Sequence, residues 1–227
     1  MRQAQTQAVR LRPATAEDPP IARPHGTVRR ISPSFFRRPT IRVARELIGM
    51  LLVHDTPAGR ISGTIVETEA YTGRGDPGSH ACRGLRKRNA PMFGPPGRAY
   101  VYKCHMYPLL NVVTEDTGTP GAVLLRGLEP VSGIALMKKA RPGARHQHEL
   151  ANGPGKLGLA LGVRLAHNTA DLSRGLLHFE RPSRPGKYRV RRSTRIGLRG
   201  PACLLPWRFY ASGNRNVSPH PETARNS

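Results

Sequence analysis

The sequence predicts an α+β fold with a single domain, built round a curved and mostly antiparallel sheet with a few helices. Three observations lead to this prediction. Strand-like segments outnumber helix-like segments in the middle of the chain. Several of them follow one another through short turns with no helix between them, which is typical of antiparallel neighbours. A length of 227 residues is enough to bury one substantial core.

Helix signals occur at three places along the chain. Each combines a residue that suits a helix start with a run that can form helical turns. The predicted helices are 42–47 after Thr40, 133–140 after Ser132, and 155–161 after Asn152 or Pro154. Gly49 is placed to end the first of them.

Strand signals fill most of the remaining body. They are runs rich in β-branched and aromatic residues, bounded by turn-forming residues. The predicted strands cover 50–55, 63–71, 98–104, 109–115, 122–129, 176–180, 188–192 and 206–211.

The two ends differ from this body. Residues 1–31 contain four prolines, several arginines and no apolar periodicity, so they cannot bury enough surface to offset their ordering entropy. Residues 213–227 form a second polar segment. The sequence therefore predicts a disordered basic tail over 1–31, a domain over 32–212 and a disordered C-terminal tail over 213–227.

Charge and cysteine usage narrow the class of protein. The chain has 37 Lys+Arg against 14 Asp+Glu, a net charge of +23, which indicates a nucleic-acid partner. Its three cysteines are far apart and odd in number, which favours a reducing interior over a disulfide framework. We find no secretory signal and no apolar run near the ~20 residues of a membrane span. We expect an intracellular protein of the cytoplasm or nucleoid, or of the nucleus in a eukaryote, with no membrane partner.

Two carboxylates stand out in this basic chain, in the segment Ile65-Val66-Glu67-Thr68-Glu69-Ala70-Tyr71. Because strand side chains alternate between faces, Ile65, Glu67, Glu69 and Tyr71 are predicted to share one face. A carboxylate weakens phosphate binding, so one kept in a DNA-binding surface indicates a chemical role. The alternative is an edge strand with a solvated acidic face.

Aromatic and cationic residues are grouped in the segment 97–111. Tyr100 and Tyr102 are predicted to share a strand face with Arg98. Rings beside cationic side chains are suited to stacking on bases and pairing with phosphates. The residues after this strand, His105, Met106 and Tyr107, then form the tip of a hairpin, and an exposed tip of this kind can wedge into a duplex. The alternative is a strand whose tyrosines line the core.

Taken together, these segments resemble the alkyladenine (3-methyladenine) DNA glycosylase family. The resemblance runs from about Ala44 to Pro130, and resumes over 153–157 and 206–210, so it covers most of the predicted domain. The residues that carry it are, in order, Ile65-Val66-Glu67-Thr68-Glu69-Ala70-Tyr71, His80, Arg88-Asn89, Met92-Phe93, Tyr100-Val101-Tyr102, Asn111 and Leu124-Leu125-Arg126-Gly127-Leu128-Glu129-Pro130.

The resemblance implies a role for each matching residue of the pocket. Glu69 would activate a water molecule, and Arg126 would help to hold it. Tyr71 and His80 would line one face of a flipped base, Tyr102 would stack on the other, and Asn111 would lie at the pocket floor and disfavour purines with a 2-amino group. Glu67 is expected to be structural rather than catalytic. His80 could alternatively be an ordinary loop residue, and Arg126 a structural ion-pair partner.

The hairpin departs from the family pattern. Family members commonly carry Tyr-Gly-Met-Tyr there, with the first Tyr inserting into DNA, whereas this chain is one residue shorter and has His105 in place of Tyr-Gly. The DNA-intercalating residue of this protruding hairpin could therefore be His105, Met106 or Tyr107. Contacts to the DNA backbone are expected from Lys103, Arg98 and Lys156, the last of which follows Gly153-Pro154-Gly155 at a helix start.

The implied activity is that of a monofunctional DNA glycosylase in base-excision repair. It would flip out alkylated purines, and deaminated purines if the leaving base is protonated, and hydrolyse the N-glycosidic bond to leave an abasic site. The expected partner is double-stranded DNA with damaged purines, the enzyme is expected to act as a monomer, and this scheme requires no cofactor or metal. The chain also lacks the P-loop and dinucleotide-binding motifs.

Three other functions remain open at this point. A bifunctional glycosylase/lyase would use a lysine, Lys103 or Lys156, as a Schiff-base nucleophile. A non-catalytic nucleic-acid-binding protein would explain the charge but not the acidic strand face. A metal nuclease would draw its ligands from Glu67, Glu69, Asp76 and His80.

Overall fold

A computed structural model describes residues 29–184 and 186–220 of the chain. The α-helices are α1 (Pro33–Phe36), α2 (Thr40–Glu46), α3 (Ile134–Ala140) and α4 (Pro154–Ala160). The strands are β1 (Arg29–Arg30), β2 (Leu51–Thr56), β3 (Gly59–Tyr71), β4 (Ala99–Cys104), β5 (Tyr107–Val113), β6 (Ala122–Ser132), β7 (Leu177–Arg181), β8 (Val190–Ser193) and β9 (Arg208–Ala211). Short 3-10 helices cover Ala90–Phe93, Gln147–Glu149, Leu165–His167 and Gly200–Leu204.

The strands of the described residues form one antiparallel sheet that curls into a half-barrel. Their order is β1-β7-β2-β3-β6-β5-β4, and β9 pairs with both β3 and β8. Strand β3, with 13 residues, is central. It pairs with β6 along one edge, and with β2 and then β9 along the other. The predicted α+β domain with a curved antiparallel sheet is confirmed.

The helices cover one face of this sheet and enclose the apolar core with it. Helix α2 contacts β3, where the Thr68 hydroxyl donates to the Ala44 carbonyl oxygen at 2.7 Å. Fully buried core side chains come from the strands and from α2 and α4, and include Val43, Leu47, Leu52, Ile65, Leu110, Leu125, Leu128, Leu157 and Phe179. Since Thr68 points to α2, its neighbours Glu67 and Glu69 point to the opposite face of β3.

The predicted helices are present, but two of their starts differ. Helix α2 begins at Thr40 itself, whose hydroxyl lies 2.7 Å from Glu115 Oε1. Ser132 does not open α3, because it ends β6 with its hydroxyl 2.8 Å from that of Ser62. Gly133 precedes α3 with a φ of 70°, in the left-handed region that favours glycine. Pro154 opens α4 as predicted.

Residues with defined structure continue for a few positions on both sides of the predicted domain. Arg29–Arg30 pair with β7, and Ile31 is buried. At the other end Val217 and Ser218 are also buried. The remainder of the two predicted tails, residues 1–28 and 221–227, lies outside the described residues. No helix in the described part of the chain has the length and apolarity that a membrane crossing requires.

Candidate active site

The two carboxylates of β3 lie at the centre of the sheet and are fully buried, with no exposed surface on Glu67 or Glu69. Because β3 has partners along both edges, the alternative of an edge strand with a solvated acidic face is wrong. The predicted shared face holds for Glu67, Glu69 and Tyr71, which one hydrogen-bond network joins. A register shift against β6 separates Ile65 from this group, and Ile65 lies in the apolar core.

Glu67 is held by fixed donors on both of its oxygens. Oε1 accepts hydrogen bonds from Arg126 Nε at 2.9 Å and Arg208 Nε at 2.7 Å. Oε2 accepts from the Ser218 backbone N–H at 2.6 Å. Burial alone would raise the pKa of Glu67, but the two guanidinium groups and the Ser218 donor outweigh it and lower this pKa. Glu67 is therefore a charged carboxylate inside a closed ion cluster.

Glu69 has a different set of donors. Its Oε2 accepts from the Tyr71 hydroxyl at 2.8 Å and from Arg126 Nη1 at 3.1 Å, and Oε1 accepts from the Ile196 backbone N–H at 2.7 Å. Two of these three donors are neutral. A carboxylate has about four acceptor sites, so about one remains for a further hydrogen-bond donor.

Arg126 joins the two carboxylates. It lies on β6, opposite this part of β3, and is 6% exposed. Burial lowers the pKa of Arg126, but Glu69 and then Glu67 raise it more, so this pKa is raised overall and the guanidinium stays charged. The structure thus places Arg126 both as an ion-pair partner of Glu67 and as a donor to Glu69.

An aromatic cluster lies beside Glu69. The His80 ring is 4.7 Å from the Tyr102 ring and 6.1 Å from the Tyr100 ring, measured between centroids. Tyr100 and Tyr102 are 5.2 Å apart, which confirms that they share a strand face. Asn111 on β5 donates from Nδ2 to the Tyr100 carbonyl oxygen at 3.0 Å. These residues enclose a cavity lined by Tyr71, Gly78, His80, Met92, Tyr100, Tyr102, Asn111 and Ala122.

The cavity is small in this conformation. Its volume of about 20 Å³ is enough for about one water molecule. The edge-to-face contact of His80 and Tyr102 closes it on one side, with an interplanar angle of 67°. A ring sandwiched between these two side chains would need them about 7–8 Å apart, twice the usual carbon contact distance. Entry of a planar ring between them therefore requires the His80 and Tyr102 rings to separate.

The ionisable groups of the aromatic cluster are neutral at neutral pH. Burial raises the pKa of Tyr100 to about 12. It also raises the pKa of Tyr71 and Tyr102, with the Glu69 carboxylate adding to both shifts. Burial and then the nearby Arg88 lower the pKa of His80. The cavity walls are thus uncharged rings, with the Arg88 guanidinium 3.4 Å from His80 Nε2 at their edge.

His80 is fixed by contacts on both ring nitrogens. Its Nδ1 lies 2.8 Å from the Tyr100 hydroxyl. Since a guanidinium can only donate, the contact from Arg88 assigns the acceptor role to Nε2 and the proton to Nδ1. His80 is therefore part of the cavity wall and not an isolated loop residue.

The predicted hairpin is formed by β4 and β5 with His105 and Met106 as its two-residue turn. His105 has a φ of 51°, which a residue with a side chain seldom adopts. Met106 is 78% exposed. Tyr107 is 45% exposed and packs on helix α4, where a Cβ added to Gly155 would lie 2.9 Å from Tyr107 Cβ. The turn residues thus extend from the body, whereas Tyr107 is supported by it.

The three cations predicted to contact DNA phosphates are placed differently. Lys103 is exposed on β4, next to the turn. Arg98 is 3.6 Å from the Asp171 carboxylate, and Lys156 donates to Asn152 Oδ1 at 2.8 Å. Only Lys103 of these three adjoins the hairpin tip along the chain.

Several residues of the site were missed by sequence reasoning. Arg208 binds Glu67, the Ile196 backbone binds Glu69, and Arg88 approaches His80. A buried pair of Arg195 and Asp76 lies behind Tyr71. The turn sequence around Asp76 could have suggested an Asx turn, which its bond from the Gly78 N–H confirms. No sequence signal connects it with Arg195, 119 residues away.

A family model and individual relatives among known proteins agree on the family to which this chain is similar. Residues 34–215 match the family model for methylpurine-DNA glycosylase (MPG). A chain from Methanocella arvoryzae is 47% identical over 188 residues, which is 81% of this chain and 93% of the relative. A chain from Chlorobium phaeobacteroides is 44% identical over 193 residues, 83% of this chain and 95% of the relative. Both relatives are named provisionally as 3-methyladenine DNA glycosylases. The chain belongs to the methylpurine-DNA glycosylase family, and it is a DNA glycosylase.

Proposed function

We propose that this methylpurine-DNA glycosylase flips alkylated purines out of double-stranded DNA and hydrolyses their N-glycosidic bond with a water activated by Glu69. The observation that carries the proposal is the placement of Glu69. It is a buried carboxylate that accepts a hydrogen bond from Tyr71, and Tyr71 lines the aromatic cavity.

The base-binding part of the proposal rests on the cavity walls. Tyr71 and His80 would cover one face of the flipped base and Tyr102 the other, with Asn111 at the floor. Alkylation gives a purine a positive charge, which strengthens its attraction to the faces of neutral tyrosine rings. Flipping costs a few kcal/mol, and stacking of about 1–3 kcal/mol per base offsets it. The same stacking would provide the energy that separates His80 from Tyr102.

The chemical step follows from the donors around Glu69. Cleavage of the glycosidic bond develops positive charge on the sugar, which a nearby carboxylate stabilises. Glu69 would also accept a proton from the attacking water as the water oxygen bonds to the sugar carbon and the purine leaves with the bonding electrons. Arg126 and Tyr71 fix the Oε2 oxygen and leave the carboxylate oriented for this role.

The hairpin turn supplies a candidate for the wedge. Met106 is more exposed than Tyr107, which is partly covered by its packing on α4. A flexible apolar side chain at the tip can enter the space that an expelled nucleotide leaves. We assign Met106 this role, with His105 turning the chain towards it and Lys103 beside it to meet a phosphate.

The other functions receive less support. Neither Lys103 nor Lys156 lines the cavity, and Lys156 is bound to Asn152, so a lysine nucleophile is poorly placed. The carboxylates suggested for a metal nuclease are bound to guanidinium groups instead, Glu67 and Glu69 to Arg126 and Asp76 to Arg195. Among the residues described here, no group of three or more His, Cys, Asp or Glu could hold a metal ion.

The experiment that tests the function uses duplexes that each carry one lesion, either 3-methyladenine, 7-methylguanine, hypoxanthine or ethenoadenine. Each duplex is incubated with the protein and then treated with alkali, which cleaves the strand at an abasic site. We expect alkali-dependent cleavage at methylated purines, no covalent adduct on borohydride treatment, and no effect of a chelator. Absence of abasic sites with every lesion would refute the proposed function, and a trapped adduct would replace it with a lyase mechanism.

A further inference from the structure

We infer that Arg195 is a positioning residue that sets the preference of the pocket between positively charged and neutral bases. The inference rests on the proposed function, because it acts through Tyr71 as a wall of the base pocket. The Arg195 Cζ atom lies 4.7 Å from the centroid of the Tyr71 ring and 5.2 Å from that of Trp207. A fixed guanidinium thus lies against the ring that would stack on the base.

The position of Arg195 is set by four hydrogen bonds. Its Nη1 donates to Asp76 Oδ2 at 2.8 Å and to the Ala70 carbonyl oxygen at 3.0 Å. Its Nη2 donates to Asp76 Oδ1 at 2.6 Å and to the Ala202 carbonyl oxygen at 3.2 Å. The residue is 2% exposed. A planar guanidinium with a bidentate partner and two backbone acceptors has little freedom to leave the ring.

The same two-residue segment supports both functional groups of the pocket. Arg195 contacts the Tyr71 ring, and the next residue, Ile196, donates its backbone N–H to Glu69. Tyr71 in turn donates its hydroxyl to Glu69. A displacement of Arg195 would therefore be transmitted to the stacking wall and to the carboxylate together.

The positive charge of Arg195 influences base binding in a way that an uncharged side chain of the same shape would not. A cation is attracted to the negative face of an aromatic ring, and it draws electron density towards itself. The Tyr71 ring, which lines the cavity and is already paired with this cation, then has a weaker attraction for a second cation, such as an alkylated purine. A neutral purine stacks with little loss. Arg195 would thus reduce the difference in binding affinity between cationic and neutral bases. Asp76, as its counter-ion, would weaken this influence of the Arg195 charge.

A purely structural role predicts a different result. If Arg195 only fills space and pairs with Asp76, substitutions there should lower excision of all lesions by one common factor. The informative quantity is therefore the ratio of lesion-binding constants for 7-methylguanine, which is cationic, and hypoxanthine, which is neutral, in otherwise identical duplexes. Single-turnover excision of both lesions provides the second readout.

The test uses three variants and a matched control. Arg195→Met combined with Asp76→Asn removes the cation together with its counter-ion, and the cationic-to-neutral ratio should rise about threefold to tenfold. Asp76→Asn alone leaves the cation without its counter-ion, and the ratio should fall. Arg195→Lys keeps the charge, so the ratio should stay near the wild-type value even if excision slows. Arg60→Met removes an arginine whose partners are Asp55 and Glu180, away from the cavity, and should leave both readouts unchanged.

Opposite shifts of the ratio in the first two variants support the inference. An unchanged ratio in both, or a shift of the same sign in both, overturns it while leaving the proposed function intact. If the double variant does not fold, Asp76→Asn and Arg195→Lys decide the matter, since a fall in the first and a constant ratio in the second are still required. A wild-type protein that binds damaged and undamaged duplexes equally and excises no lesion would overturn the proposed function, and this inference with it.

Discussion

The surroundings of Glu67 and of Glu69 differ sharply although the two residues are neighbours on one face of β3. Around Glu67 the sheet is closed by β9, and two guanidinium groups and a backbone N–H occupy its oxygens. Around Glu69 there is one guanidinium contact, a phenol and a backbone N–H, and the Tyr71 side chain leads to the cavity. Burial is the same for both carboxylates, so burial does not distinguish a structural acid from a reactive one.

The difference between these regions lies in charge balance and access. Glu67 faces two positive groups and is locked as an anion, so it cannot take up a proton in a reaction without breaking an ion cluster. Glu69 shares one of these positive groups, and its hydrogen-bond partner Tyr71 lines the cavity. We therefore propose a division of labour, in which Glu67 would maintain the fold and Glu69 would perform the chemistry.

The largest expected effect is on the chemistry at Glu69. In Glu69→Gln, single-turnover excision of a methylated purine should fall by about 10²–10⁴-fold, the usual contribution of a general base. Binding of the lesion-containing duplex should stay within about twofold, because the amide keeps the shape of the side chain. Excision at the wild-type rate would show that Glu69 is not the base.

Glu67→Gln is expected to act mainly on stability. Removing the charge between Arg126 and Arg208 leaves buried cations short of a partner and should lower the free energy of unfolding by about 3–5 kcal/mol, measured by urea denaturation. The matched control is Glu46→Gln, which removes a carboxylate that also binds two arginines but is 38% exposed. Glu46→Gln should lower the free energy of unfolding by no more than about 1 kcal/mol. Equal losses in the two variants would contradict the closed-cluster interpretation.

The pH dependence of stability should reveal the same ion cluster. The pKa of Glu67 is lowered on folding, so its contribution is fully present above the ordinary value of 4.5 and is lost as the pH falls through the lower, folded-state pKa. The stability difference between wild type and Glu67→Gln should therefore narrow in acid. A difference that stayed constant from pH 7 to pH 3 would argue against an ionised Glu67.

The aromatic wall should contribute a smaller and selective effect. Tyr102→Ala removes a stacking surface and should weaken lesion binding by about 1–3 kcal/mol, with a parallel loss of excision. Tyr102→Phe retains the ring and should behave like wild type in a competition assay. If the two variants weaken binding equally, the hydroxyl and not the ring face is what the pocket uses.

The smallest expected effect concerns the hairpin tip. Met106→Ala should reduce excision from a duplex by about threefold to tenfold, since about two carbon groups and the thioether no longer fill the gap. Excision from a single strand should be unaffected, because no gap has to be filled there. Leu85→Ala is the control, an exposed apolar side chain outside the hairpin. A loss of the same size on both substrates would remove Met106 as the wedge.

Much of this arrangement is predictable from local sequence. Period-two alternation in 63–71 predicts the strand and its polar face. The family resemblance groups Tyr71, His80, Tyr102 and Asn111 in one pocket, and in the structure these four residues line one cavity. The long-range pairs were not predictable. Arg208 meets Glu67 only because β9 pairs with β3, and 141 residues separate them. Nothing in the local pattern of either segment specifies this pairing.

The structure of residues 213–220 was not predictable for a related reason. Residues 213–220 are polar and rich in turn formers, which is typical of a disordered tail. Their order comes from long-range contacts that composition does not report, which include the Ser218 N–H on Glu67, the Asn214 amide on Glu129 and the burial of Val217. Similarly, Ser132 has the character of a helix cap but extends β6 because a facing serine, Ser62, is available on β3.

The most direct test of the division between the two carboxylates is the single-turnover excision rate of Glu67→Gln relative to Glu69→Gln. Both rates should be measured on one methylated duplex, at saturating enzyme and well below the melting temperature of either variant, so that only folded protein contributes. We expect Glu67→Gln to be at least about 10²-fold faster. Equal rates with intact DNA binding would show that the two carboxylates act as one coupled catalytic pair and would contradict the assignment of chemistry to Glu69 alone.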